Sequence, residues 1–258
     1  IVARPGPRVV AARFAGRRPA RTTAQARAMG IRQVVGEFTT PYRCCQPRVT
    51  NIRRAARILN GTVIPAGGTF SLNRALGRRT AARGFVSAPW ITDGRLVEGT
   101  GGGVSQIATT VFNAAFFSGL ELVQHTPHQF YISRYPMGRE ATVSWGGPEL
   151  VVRNDWPAAV LMTVQARATS VTVRMFSSPL GRRVTTTTSR PRDVRPARTR
   201  VVRDPRLRPG QRVEVQAAGG SGFRVVVTRK VYRGARLLRD ERYGWRYDPE
   251  DAIVHVGR

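Results

Sequence analysis

Between Val104 and Leu120 the apolar positions fall at Val104, Ile107, Ala108, Val111, Phe112, Ala115, Phe116 and Leu120. That spacing predicts one amphipathic helix tending toward full burial, with Gly119 weakening its last turn. A second helix is predicted after Thr50, its candidate cap, with Ile52, Ala55, Ala56 and Leu59 on one face and Asn60-Gly61 at its end. Thr22 or Thr23 could cap a short helix ending near Gly30. Elsewhere the pattern alternates. Residues 9–14 and 31–40 read as strands, residues 62–77 as a strand, a turn and a loop, and "GFVSAPWITDGRLVEG" as a hairpin with Asp93-Gly94 at its tip. After the long helix, "HQFYISRY", "EATVSWG", "ELVVRND", "AAVLMTVQAR" and "SVTVRMF" are strand candidates bounded by Pro, Gly and Asn. Strand and helix do not alternate there, so the predicted fold class is α+β: a mainly antiparallel sheet with a buried helix after a Gly-rich loop.

Four regions are expected. Residues 1–30 read as the tail of a preceding domain, 31–178 as the main domain, 179–212 as an Arg/Pro/Thr-rich linker or extended ribbon, and 213–258 as a small all-β module. The opening, without Met, suggests a fragment whose upstream part, including any export signal, lies before Ile1. No stretch of about 18 apolar residues occurs that could span a bilayer as a helix.

Charge sharpens the picture. The formal net charge is +28, and Lys230 is the only lysine, so arginine carries almost all of the positive charge. Such a surface is either merely solvated or faces a polyanion: nucleic acid, anionic lipid or an anionic cell wall. Zinc-finger spacing, a helix-turn-helix pattern and paired sheet aromatics are all missing from the sequence, which argues against specific nucleic-acid binding. The adjacent Cys44 and Cys45 cannot form a long-range disulfide within the chain, and a vicinal one would be strained. Neither a metal nor an organic cofactor is implied.

The stretch "GTGGGVSQIATT" places backbone freedom directly before Ser105. A P-loop would need a lysine after the glycines, and none follows. Two readings remain for Ser105. It can be the N-cap of the apolar helix, or a nucleophile at a helix N-terminus, where the dipole and free N–H groups favour an anionic transition state. A serine nucleophile needs a base. His125 and His128 follow the helix closely and either could be an exposed turn residue; His255 reads as surface or packing. Glu140 is the nearest acid that could orient an imidazole, and it could equally pair with Arg139 or Arg134.

The segments "FTTPYRCCQPRVTNIRRAARILNGTVIPAGGTFSLNRALGRRTAARGFVSAP", "GGGVSQIATTVFNAAFFSGL" and "YISRYPMGREATVSWGGPELVVRND" closely resemble the VanW family over roughly 31–176. The tail resembles the G-five type of β module, and the opening resembles the end of a peptidoglycan-binding repeat. The resemblance implies an extracytoplasmic bacterial domain, at the membrane only through an upstream anchor, with peptidoglycan stem peptides or anionic wall polymers as partners. In members with cysteine in the Gly-Gly-Gly-x-Cys-Gln motif it implies L,D-transpeptidase-like acyl transfer with D-alanine release. Carried over residue by residue, Ser105 occupies the cysteine position, His128 the base and Glu140 the orienting acid. Gly101, Gly102, Gly103 and Gln106 would hold the substrate. The serine is a departure, because a thiol is partly ionised at neutral pH and a hydroxyl is not. The site therefore reads as a wall-binding cleft, degenerate in catalysis, with Ser105-dependent acyl transfer as the alternative. Cys44 and Cys45 could in principle supply the missing thiol.

Overall fold

The computed structural model of the protein describes residues 22–92, 95–178 and 180–257. The strand expected at 9–14 and the hairpin tip Asp93-Gly94 lie outside them. Thr22 caps α1 (Thr23–Ala28), accepting from the Gln25 N–H while the Gln25 side chain accepts from the Thr22 N–H. β1 (Gln33–Pro41) leads to α2 (Pro47–Leu59). This helix starts earlier than the expected cap Thr50. Gln46 holds the cap position, and Pro47, with its preset φ, opens the first turn.

The strands β2 (Thr62–Ile64) and β3 (Thr69–Ser71) precede a short α3 (Leu72–Leu76). The expected hairpin forms from β4 (Ser87–Thr92) and β5 (Arg95–Thr100), with Thr92 opposite Arg95. The central helix α4 (Val104–Phe117) follows, then β6 (Glu121–Gln124), β7 (Val151–Arg153), β8 (Val160–Ala166) and β9 (Ser170–Ser177). The order β1-β9-β8-β2 makes one antiparallel sheet, and β3-β7-β6 makes a second. Helix α4 packs against β1 and β9 and touches α2, which covers β8. Their apolar faces merge in one core, where Ile52, Leu59, Ile107, Phe112 and Phe116 are essentially without exposure. Each such side chain contributes about 1.5–3 kcal/mol of burial free energy.

Two expected strands are absent. "HQFYISRY" is an irregular run whose backbone bonds turn on themselves, as in Tyr135 N–H to the Ile132 carbonyl. "EATVSWG" is also not a strand: its Ala141 and Val143 N–H groups turn to a helix, and those of Thr142 and Ser144 to the Thr126 and Pro148 carbonyls of irregular segments. On α4 the polar residues Ser105, Thr109 and Asn113 form a stripe. The Val143 N–H donates to Ser105 (3.3 Å), the Ala141 N–H to Thr109 (3.2 Å), and Asn113 donates to the Arg139 carbonyl (2.8 Å). Alternating burial arises here because the segment lies along that stripe.

Residues 179–212, expected as a linker or an extended ribbon, carry three strands: β10 (Arg182–Thr188), β11 (Arg192–Arg195) and β12 (Thr199–Arg203). They join β13 (Arg212–Gln216), β14 (Gly222–Arg233), β15 (Arg236–Tyr247) and β16 (Ala252–Val256). One edge of β14 pairs with β10 and then β11, the other with β15. Beside it, β16 runs parallel to β12 and antiparallel to β13. The Thr-rich run of β10 suits a half-exposed pleat, which is how a polar stretch becomes a strand. All described sheet pairings except β12 with β16 are antiparallel, so the α+β class holds, with an all-β C-terminal part.

Candidate functional site

Gly103, with φ 91°, occupies the N-cap of α4 and has no side chain to cap it. Ser105 is therefore not the cap; it sits at the second helical position. Its hydroxyl is half-buried, lies 3.1 Å from the Thr142 hydroxyl and accepts from the Val143 N–H. Gly101 and Gly102 are packed closely by the protein itself. A Cβ on Gly102 would lie 2.2 Å from the Ala88 carbonyl oxygen, and one on Gly101 2.8 Å from the Arg79 Cβ. Of the three, only Gly103 lines the cleft.

That cleft, of about 910 Å³, lies between the α4 N-terminus, the irregular segment after β6 and the end of β15. Ser105, Gln106, His128, Thr142 and Trp245 line it. Ser105 and His128 share it without hydrogen bonding to each other. His128 is buried, 6% exposed, and its Nδ1 lies 2.5 Å from the Glu140 carboxylate, which is fully buried. Glu140 thus pairs with His128 and not with Arg139 or Arg134. This pairing leaves Nε2 as the histidine's free nitrogen. The second Glu140 oxygen accepts from the Tyr247 hydroxyl, which in turn accepts from the Gly138 N–H (2.8 Å). Burial, reinforced by Glu140, pushes the Tyr247 phenol well above its usual range, so it stays a donor. The Trp245 indole donates to the His128 carbonyl (3.0 Å), and the Tyr135 ring stacks on the imidazole at 5.3 Å. Tyr247 and Trp245 both come from β15, so the C-terminal sheet fixes the histidine–carboxylate pair.

Gln106 is fully buried and fully engaged. It donates to the Thr40 hydroxyl and the Pro41 carbonyl and accepts from Arg48 Nη2 (2.6 Å). It braces Arg48, a cleft residue that sequence reasoning did not single out.

The remaining candidates lie elsewhere. His125 is not an exposed turn residue: its ring packs tilted against Phe112 (4.5 Å) and meets the edge of Tyr243 (5.3 Å), and burial pushes its pKa down to about 4. His255 sits in β16 and bonds to Asp204 (2.9 Å). Cys44 and Cys45 are exposed, with sulfurs 2.9 Å apart, and do not line the cleft. Among the described residues no cluster of three or more His, Cys, Asp or Glu side chains could hold a metal ion.

Residues 47–176, just over half of the chain, match the family described as VanW like protein. The chain belongs to the VanW family. Its VanW region contains every candidate catalytic residue, and the strands that supply Tyr247 and Trp245 lie beyond it. The chain is 36% identical over 147 residues to the protein YoaR of Bacillus subtilis, covering 57% of this chain and 48% of that protein. It is 27% identical over 148 residues to the vancomycin B-type resistance protein VanW of Enterococcus faecalis, covering 48% of this chain and 53% of that protein. The chain therefore spans about half the length of these curated relatives. A solved structure described as HP0197-G5 matches 30% of this chain and 95% of its own at 14% identity, with a TM-score of 0.17, too low to bear on the fold.

Proposed function

We propose that this VanW-family chain is an extracytoplasmic, cell-wall-associated protein whose cleft binds peptidoglycan stem peptides, with its basic surface held by anionic wall polymers. Kinship to a vancomycin B-type resistance protein supports the wall context. The observation that carries binding over turnover is the engagement of Ser105. Its hydroxyl belongs to the stripe that zips α4 to residues 139–143, and its partners are Thr142 and Val143 rather than His128. A serine held this way, with no base on its proton, is a poor nucleophile.

One feature favours the alternative, L,D-transpeptidase-like acyl transfer. An oriented His128–Glu140 pair opens on the same cleft as Ser105. In that reading Ser105 attacks the acyl carbonyl before the terminal D-alanine, His128 takes its proton and returns it to the leaving amine, and an acceptor amine then resolves the ester. Incubation with disaccharide-tetrapeptide, followed by mass spectrometry, separates the two. The binding reading expects no D-alanine from the native protein or Ser105→Ala and measurable release from Ser105→Cys, whose thiolate needs less activation. D-alanine from the native protein but not from Ser105→Ala would establish the enzymatic reading. For the basic surface, sedimentation with purified wall is expected to weaken steeply with added salt. Salt-insensitive binding would contradict it.

A further inference from the structure

Arg48 runs across the Gly103 backbone beside Ser105: a Cβ built on Gly103 would lie 2.7 Å from the Arg48 Cβ and 3.1 Å from its Nε. The guanidinium is held from one side by Gln106, and its Nε has no hydrogen-bond partner. Burial pushes Arg48 below its usual pKa range; the Tyr135 hydroxyl partly offsets this, and the nearby charge of Arg134 adds to it. Arg134 lies over the Tyr135 ring at 5.1 Å. Two guanidiniums thus flank Tyr135 in one cleft, and among the described residues neither forms an ion pair. The two acids that line the cleft are engaged elsewhere. Glu98 accepts from Ser87 (3.2 Å), and Asp248 accepts from Gln129 (3.2 Å) and pairs with Arg195 (3.7 Å). A largely buried cation beside a like charge is costly unless an anion completes it.

We propose that Arg48 and Arg134 form a carboxylate subsite that grips the free C-terminal carboxylate of the peptide in the cleft. This deepens the stem-peptide reading and rests on it. Arg48 lies beside Ser105, so a terminal carboxylate on Arg48 sets the preceding carbonyl near the Ser105 hydroxyl. The cleft would then select chain ends over internal segments. Gln106 acts through Arg48, as the residue that positions its guanidinium.

The test compares a stem tetrapeptide whose C-terminal carboxylate is its only one with the same peptide as a carboxamide, by calorimetry on the full chain. The native protein is expected to bind the acid about tenfold or more tightly than the amide, as suits hydrogen bonds to a charged group. Arg48→Gln and Arg134→Gln should each weaken acid binding more than amide binding and so reduce that preference, and Arg48→Lys should retain part of it. Equal binding of acid and amide by the native protein would overturn the subsite and leave the peptide reading standing. Equal loss of both ligands in Arg48→Gln, with Arg134→Gln silent, would reduce Arg48 to a structural part and overturn the subsite. A second arm titrates acetate and then inorganic phosphate, following the Arg Nε–H resonance that disappears in Arg48→Lys. A shift with acetate when neither peptide binds supports the subsite and rejects the peptide reading. No shift with acetate and no peptide binding rejects both, and a shift with phosphate alone assigns the site to a phosphate and overturns the carboxylate.

Discussion

Tyr247 and His125 show how far single side chains carry this fold. The Tyr247 hydroxyl links Glu140 to the Gly138 N–H at a fully buried position. Tyr247→Phe is expected to cost about 1–3 kcal/mol in urea unfolding, the penalty for a buried acceptor and donor left unpaired. An unchanged midpoint would mean that Glu140 does not need the bond. His125 has a folded pKa of about 4, below the unfolded value of 6.5. Between those pH values the unfolded chain takes up a proton that the folded chain refuses. The contribution is therefore complete above pH 6.5 and lost as pH falls toward 4, by up to about 3 kcal/mol. Unfolding series from pH 7 to pH 4 on the native protein and His125→Phe should show that slope in the first and its reduction in the second. The sequence raised His128 and Glu140 by their places after the long helix, and family likeness selected His128 over His125. Tyr247 was out of reach because it lies 107 positions from Glu140 and nothing local marks it.

Among the elements, α4 was legible and its use was not. Apolar periodicity gave its extent, and Gly119 ends it: with φ 72°, it lets the Gly119 and Leu120 N–H groups close onto the Phe116 and Ala115 carbonyls. The spacing of Ser105, Thr109 and Asn113 by fours was also in the sequence. Periodicity alone cannot say that such a stripe meets backbone instead of water, so residues 140–146 read as a strand. The Gly-rich loop was legible in the sequence, but its packing was not. Its most confined member, Gly102, is small because β4 lies against it. Gly102→Ala should lower stability by about 1–3 kcal/mol, the range for an overpacked site, read as a shifted thermal midpoint. A midpoint equal to the native one would show that the loop can give way.

For the whole molecule, the C-terminal sheet and the VanW region meet at one site. Arg229, on β14, has no exposure; it donates to the Phe116 (3.1 and 2.8 Å) and Leu120 (2.9 Å) carbonyls at the end of α4 and pairs with Glu241 at 2.7 Å. Arg229→Ala leaves a carboxylate and a helix terminus without their partner, and a loss of about 3–5 kcal/mol or failure to fold is expected, measured by calorimetry. Of the two readings of 179–212, linker and extended ribbon, the strands there match the ribbon. Composition reports polarity, whereas pairing with β14 and β16 depends on residues tens of positions away.

The central claim is that wall peptide occupies the cleft beside Ser105. The most direct measurement is a titration of the isotopically labelled chain with disaccharide-tetrapeptide, followed by amide and indole resonances. Saturable shifts are expected at Ser105, Thr142 and the Trp245 indole, with the C-terminal strands β12, β13 and β16 quiet. Shifts confined to those strands, or none at any residue of the cleft, would contradict it.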